Sequence, residues 1–351
     1  MRQTLREETQ AALALAAAVI GAGFASGSEI LRFFSAYGAL SWAGCVLAAC
    51  VLAALATAAA LLAGRLGAGD LGSLCACSLG ASAGAVAAVV EGLMLVMTAG
   101  AMLSAMGELV ALALPVHHAY ALGLLATLAA AGWLARRGLS AMAALGLWLL
   151  PACLVLYGLL LYRRPEARAF LPGEPLPVHI WHTLPLAVAY AAMNVALAGG
   201  VLCELGQGRS RGSVARVCCL CALVLLVLLL AANAVLLPQA SALSGAALPM
   251  VLLARPLGAV GYWACIAALS LAVMSTLIAL LRTLARMLMP VLPGRWVWPA
   301  ALCLPLLTAL VGFVRLVEHM YPVMGALSAL LFAWILLRSA CCKAGRGKTR
   351  L

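Results

Sequence analysis

Charge is what this sequence has least of. Only 9% of its 351 residues are Asp, Glu, Lys or Arg, while 66% are hydrophobic, and the mean hydropathy is +1.14. A soluble domain of this length needs far more surface charge, so the composition reads as a polytopic membrane protein. Aspartate occurs once, as Asp70. The stretch Gly67-Ala68-Gly69-Asp70 therefore cannot supply, within one chain, the two aspartates that intramembrane aspartyl proteolysis needs. No His-Glu-x-x-His and no Asp-rich motif occurs, so an enzyme is not expected. The 13 cysteines cluster only at Cys75/Cys77, Cys218/Cys219/Cys221 and Cys341/Cys342, with no His close to them in sequence. They read as small packing residues, and no metal site beyond a sodium ion is expected.

What is present begins with Gly21-Ala22-Gly23-Phe24-Ala25-Ser26-Gly27-Ser28-Glu29-Ile30, inside the first apolar run. Three glycines in seven residues favour a backbone that leaves helical angles. Ser26 stands three residues before Glu29, the spacing of a capping box, so a second helix is expected to start there. Water is absent at bilayer depth, and the freed backbone groups must face protein or a wet cavity. Unwound backbone at mid-membrane is where many secondary transporters bind solute and ion.

Ten apolar runs can be placed, at about 10–36, 39–64, 83–113, 117–135, 138–162, 179–204, 213–237, 257–281, 296–315 and 320–340. With both termini cytoplasmic, 16 of the 22 basic residues fall in inside segments. Outside lie Arg163, Arg164, Arg168, Arg255 and Arg315, and Arg32 is within the first run. That bias is the positive-inside pattern and accounts for the net charge of +12 without nucleic acid as a partner. The apolar run after the first ten residues is too long for a signal-peptide core, so the N-terminus is expected to be retained. The partners expected are the lipid bilayer and a small-molecule solute.

Two connections are long, 65–82 and 238–256, following runs two and seven. These positions correspond if the chain is one transporter domain of two five-helix halves, about 10–162 and 179–340, with a basic tail 341–351. An odd number of helices per half makes the repeat inverted. Run six should then be broken like run one, and Tyr190 to Gly200, with Asn194, Gly199 and Gly200, has the residues for a break. The fold expected is all-α, about ten membrane helices in a 5+5 inverted repeat with helices one and six broken.

Several polar residues in these runs are candidates for chemistry. Glu29 and Arg32 are three apart, close enough for an ion pair, and Glu29 is either a helix cap or a cation or proton site. Glu91, Thr98 and Ala105 share one face of run three, and Glu91 is either a proton-relay residue or an inner carboxylate. Gly100, Ser104 and Gly107 form a small-residue packing face. Glu108 and Glu204 lie near run ends and read as interfacial. In run eight Ser270, Ser275 and Thr276 either back-bond to their own helix or help coordinate a hard cation. Pro151, Pro185, Pro299 and Pro305 mark hinge positions.

Val19 to Ile30, followed by Phe33-Phe34 and Tyr37-Gly38, resembles the YkvI family of bacterial membrane proteins. Ser28 stands where many members are expected to carry Gln. That family is placed with the amino acid–polyamine–organocation superfamily, which has the LeuT-type five-plus-five fold. The resemblance implies an amino-acid-like permease in a bacterial plasma membrane. It implies that Ala22, Gly23, Phe24, Ala25, Ser26 and Gly27 line the solute together with Tyr190, Asn194 and Gly199. It further implies sodium at Gly21, Ser275 and Thr276. Run five has no Lys or Arg, which removes one proton route used in that superfamily and leaves Glu29 or Glu91 for another. The function expected is a symporter working by alternating access, with sodium or a proton as coupling ion and no other cofactor. A sensor built on a transporter fold is the alternative.

Overall fold

The computed structural model describes residues 2–137, 139–163 and 180–348. The side chains of the basic cluster Arg163 to Arg168 and of the tail 341–351 lie outside that description. Helices occupy every one of the expected apolar runs. The first is broken into α1 (Arg2–Val19), α2 (Ala22–Ser26) and α3 (Ser28–Phe33). A 3-10 stretch then leads into α4 (Ser41–Leu66), followed by α5 (Leu71–Leu79), α6 (Ala81–Ala113), α7 (Ala119–Ala135) and α8 (Leu139–Arg163). Run six is α9 (Ile180–Leu197) and α10 (Gly199–Gly206). After it come α11 (Arg211–Leu236), α12 (Pro249–Ala254), α13 (Gly258–Leu288) and α14 (Gly294–Ala309). The last run holds α15 (Phe313–Arg315), a π-helical stretch Leu316–Met320 and α16 (Tyr321–Lys348).

The chain is thus an all-α polytopic membrane protein. Among the described residues, five helical stretches are long and apolar enough to cross a bilayer: Ser35–Leu66, Ala81–Ala113, Arg211–Gln239, Pro249–Leu288 and Phe313–Arg338. The pair Thr183–Leu197 and Gly199–Gly206, bent by 67°, makes a sixth. The first run is divided by its break into α1, α2 and α3, and α7 and Trp148–Tyr162 are shorter apolar helices. Large apolar side chains such as Trp148, Val155, Val260, Leu310 and Leu337 are exposed, as suits a lipid-facing surface.

The two long connections each hold a short helix, α5 and α12. The start of α5 is capped by Asp70, whose side chain accepts from the Ser73 N–H at 2.7 Å while the Asp70 N–H donates to Ser73 Oγ at 3.2 Å. Helix α12 begins with Pro249, where a missing N–H costs nothing.

The first and sixth runs lie inside the bundle. Helix α1 packs on α8, α11 and α13, α9 packs on α4 and α16, and α6 packs on α13 and α14. A buried polar chain ties the end of the first run to two neighbours. Ser35 Oγ donates to Asn233 Oδ1 at 2.8 Å, and Asn233 Nδ2 donates to Ser41 Oγ at 2.9 Å. All three residues are buried, so each needs the others for its hydrogen bonds.

Candidate functional site

Helix α1 ends at Val19, and Gly21 is extended at φ −95°, ψ −171°. One turn of helix follows, and Gly27 at φ +82° then closes α2 and opens α3. A side chain there would be strained, and a Cβ would also meet Leu236 at 2.9 Å and Met250 at 3.2 Å. The expected capping box of Ser26 and Glu29 is not formed: the cap of α3 is Gly27, with no side-chain bond. Because Gly27 takes the left-handed turn, Ser26 stays in the last turn of α2. Its hydroxyl donates to the Gly23 carbonyl at 3.3 Å and lies 2.9 Å from Ser28 Oγ. Ala22, Gly23, Phe24, Ala25, Ser26 and Gly27 are all buried at the break.

Thr276 on α13 reaches the break. Its hydroxyl contacts the carbonyls of Ile20 at 3.0 Å and Ala17 at 3.3 Å, the unpaired end of α1. The neighbouring Ser275 hydroxyl donates within its own helix, to the Ala272 carbonyl at 2.9 Å. Two carbonyls of α1 and the Thr276 hydroxyl therefore meet at the α1–α13 contact. Gly21 contributes differently from its expected role: its carbonyl accepts the Ala25 N–H at 2.9 Å, because it starts α2. Ser270 back-bonds to Ile266 at 2.8 Å and points to no neighbour helix.

Glu29 is buried, and its Oε2 has no hydrogen-bond partner. Arg32 does not pair with it: Arg32 is exposed and lines a separate cleft of about 100 Å³ with Ser28, Ala246 and Glu318. The Glu29 carboxyl instead folds over Gly23, where a Cβ would come within 2.1 Å of Oε1. That contact is the reason for a glycine at position 23. Phe33 stands one turn beyond Glu29 on α3, and its ring lies 5.3 Å from that of Tyr190 on α9. Phe34 meets the same tyrosine edge-on at 5.0 Å. The hydroxyls of Tyr190 and of Tyr321 on α16 are buried, lack a partner and lie within electrostatic range of Glu29. Asn194 is beside Tyr190, but its side-chain N–H donates to the Tyr190 carbonyl at 2.9 Å, a back-bond within α9.

The second break falls at Ala198, as the sequence pattern anticipates. Gly199, the first residue of α10, faces Leu71 of α5 and Glu91 of α6 rather than the first break. Glu91 is buried with neither oxygen paired, and Asp70, Cys75 and Cys203 are within electrostatic range. Thr98 is on the same face of α6 with its hydroxyl also unpartnered. Glu204 is not simply solvated: it pairs with Arg286, and with Arg282 at 3.5 Å, joining α10 to α13.

The structure thus groups Glu29 and Tyr190 at one place, Thr276 with the end of α1 at a second, and Glu91 with Gly199 at a third, while Ser275 bonds within α13. Gly100 and Gly107 pack closely on Pro305–Ala309 and Tyr120, as the small-residue face predicts. Tyr321 and the Ala17 and Ile20 carbonyls have no counterpart in the sequence reading. Gly80-Ala81-Ser82-Ala83-Gly84 fits the hydrolase Gly-x-Ser-x-Gly pattern in letters only. Ser82 is exposed in the first turn of α6, with no strand before it. Among the described residues no three of His, Cys, Asp and Glu come together to hold a metal.

No family model matches the sequence, and no curated protein matches it. The chain is similar in structure to a manganese transporter of Eremococcus coleocola, crystallised with an aromatic bis-isothiourea substituted compound. The TM-score is 0.57 at 16% identity, covering 94% of this chain and 76% of that one. At that identity the likeness is one of fold. The resemblance to the YkvI family rests on the first-helix motif.

Proposed function

We propose that this protein is a secondary transporter of a small, polar, amino-acid-like solute, working by alternating access and coupled to a cation. The observation that carries the reading is the first break: helix ends in mid-bundle beside a buried carboxylate and tyrosine hydroxyls that no protein group satisfies. Buried polar atoms without partners cost about 1–3 kcal/mol each, so a chain keeps them where a guest completes them. The fold shared with a transporter supports the same class.

The two halves, 10–162 and 179–340, are an inverted repeat in this reading. The breaks in runs one and six, and the short helices after runs two and seven, support it. The chain sits in a bacterial plasma membrane with both termini cytoplasmic, on the evidence of the basic residues. Sodium is the coupling ion that best fits the oxygens of Ala17, Ile20 and Thr276, with Ser275 next to Thr276 in the chain, since a hard cation prefers carbonyl and hydroxyl ligands. Glu91, unpaired beside the second break, is the candidate for a proton. Manganese fits less well as the solute, because among the described residues the first break offers a divalent cation a single carboxylate, Glu29, with no further acidic ligand grouped beside it.

The test is uptake by proteoliposomes of a labelled amino-acid panel under sodium and potassium gradients, paired with melting curves of the purified chain. A ligand at ~100 times its dissociation constant adds ~2.7 kcal/mol to the native state. Sodium-dependent accumulation is the expected result. Binding without accumulation would replace the transporter with a sensor.

A further inference from the structure

A second cleft lies away from both helix breaks, at the end of the bundle where α6 stops and α13 starts. It encloses about 360 Å³ between Glu108 of α6, Tyr120 of α7 and one side of α12 with its two caps, made of Leu248, Val251, Leu252 and Arg255. Those four are spaced by three, one and three residues, so they share a helical face. Polar side chains in the cleft are few. The Tyr120 hydroxyl is already engaged, 2.9 Å from Ser104 Oγ. The ion pairs found among the described residues are those of Glu8 and Glu204, so the Glu108 carboxylate and the Arg255 guanidinium are not paired with each other. The cleft thus holds one negative and one positive group on walls otherwise made mostly of alanine, leucine and valine. Its mouth is apolar as well, with Leu112 and Leu252 44% and 43% exposed. At that rim Tyr262 of α13 donates to the Leu112 carbonyl at 3.2 Å and meets the exposed Trp263 edge-on. Tyr and Trp of this kind gather at the membrane–water boundary, where lipid headgroups lie.

We propose that this cleft binds one membrane phospholipid with an ethanolamine headgroup, its ammonium on Glu108 and its phosphate on Arg255. The inference is independent of the solute and holds for a transporter and a sensor alike. Charge complementarity selects the headgroup. A glycerol headgroup brings only the phosphate and leaves Glu108 facing an anion. Choline brings a positive charge but no N–H, and a half-buried carboxylate needs donors. A primary ammonium supplies them, and the fork of an arginine matches the phosphate oxygens. The apolar walls and mouth select a lipid over a soluble zwitterion, whose small body leaves those leucines and valines in water. The lipid also bears on the first break. Met250 points to the other side of α12, where it packs against Gly27, so a headgroup in the cleft backs α12 against the break.

The test follows the melting temperature of the delipidated full chain in detergent micelles doped with one compound at a time. The probes are dioleoyl phosphatidylethanolamine, its choline and glycerol counterparts, and the soluble headgroup glycerophosphoethanolamine. The ethanolamine lipid should raise the melting temperature most. Glu108→Gln should weaken its binding ~10-fold and abolish the preference for ethanolamine over choline. Arg255→Gln should lower the shifts from all three lipids together, since all three carry the phosphate. A general loosening of the fold would instead lower the lipid-free melting temperature and leave the order of the lipids unchanged. Equal shifts from the ethanolamine and glycerol lipids in the parent, or no shift from any lipid, would overturn the proposal without recourse to a variant. A Glu108→Gln chain that keeps its preference for ethanolamine would overturn it too. An equal shift from glycerophosphoethanolamine would give the cleft to a soluble zwitterion and exclude the lipid.

Discussion

Each helix break has a buried, unpaired carboxylate beside it, Glu29 at the first and Glu91 at the second, yet the company they keep differs. Around Glu29 stand the hydroxyls of Tyr190 and Tyr321, both lacking partners. Around Glu91 stand Gly199, Leu71 and the thiols of Cys75 and Cys203, which offer little to a polar guest. The second break is also tied down, because Glu204 on α10 pairs with Arg282 and Arg286 on α13. The first is joined to α13 by the Thr276 hydroxyl on the Ile20 and Ala17 carbonyls, with no ion pair found there among the described residues, and Gly27 packs against Leu236 and Met250. Burial alone therefore does not mark a binding site. Unmet groups occur at both, but among the described residues those at the second, Glu91 and Thr98, belong to the one helix α6, whereas those at the first come from three separate elements.

The comparison breaks most sharply at the two glycines. Gly27→Val puts a β-branched residue at φ +82°, which costs about 1–2 kcal/mol before any clash, and drives its methyls into Leu236 and Met250. Little folded protein is expected from that variant in detergent. Gly199→Ala meets Leu71 at 3.1 Å and Glu91 at 3.4 Å, both movable side chains, at a helical position. It should fold with a melting temperature within a few degrees of the parent. Equal damage from both changes would mean that the second break is as tightly specified as the first.

The carboxylates give the next largest effect. Glu91→Met removes a buried charge with no partner and should raise stability by about 1–4 kcal/mol, while transport falls if the residue carries a proton. A melting temperature below the parent's would show that Glu91 is paired in a way its geometry does not suggest. At the proposed ion site the order is set by hydrogen bonds already made. Thr276→Ala removes the hydroxyl that reaches the end of α1, and should abolish the difference between melting curves in sodium and in potassium. Ser275→Ala removes a hydroxyl that also has its own helix carbonyl, so about a tenfold weaker sodium effect is expected. The reverse order would place the ion away from Ile20.

Both breaks were legible in the sequence because backbone that leaves a helix needs glycine or asparagine, and those letters are visible at 21–27 and 194–200. The partners were not. Tyr321 lies nearly 300 residues from Glu29 in sequence, and nothing local distinguishes it from any interfacial tyrosine. The Ser26 and Glu29 spacing imitates a capping box because the signal is written in side chains, whereas the cap is decided by the backbone of Gly27. The capping box that does form, Asp70 with Ser73, pairs Asp with Ser and so escapes the Ser-x-x-Glu pattern. Gly21 was expected to offer a carbonyl to sodium because it sits at the break. Which carbonyls stay outside the helical bonding depends on where α2 restarts, and those that Thr276 reaches are Ala17 and Ile20.

The smallest effect lies outside the apolar runs, at the start of the first broken helix. Arg216 on α11 donates to both oxygens of Glu8, at 2.9 Å from Nε and 2.6 Å from Nη2, and so ties α1 to α11. Those hydrogen bonds, with help from Ser213 and the nearby positive charge, hold the Glu8 carboxyl down at about 2, below its ordinary value of 4.5. A carboxyl whose folded value is depressed adds stability above its ordinary value and loses it as pH falls through the folded one. The contribution should therefore be whole above pH 4.5 and fade toward pH 2. Arg216 is 65% exposed, so solvent screens the pair and the gain is slight. Melting curves of the parent and of Arg216→Ala across that window should converge at the acid end and differ by little above it. If they instead stay apart at pH 2, then Arg216 supports α1 by packing its stem against α11 and not by its charge. The first run would then be anchored by apolar contact at its start and by the Thr276 hydroxyl at its break.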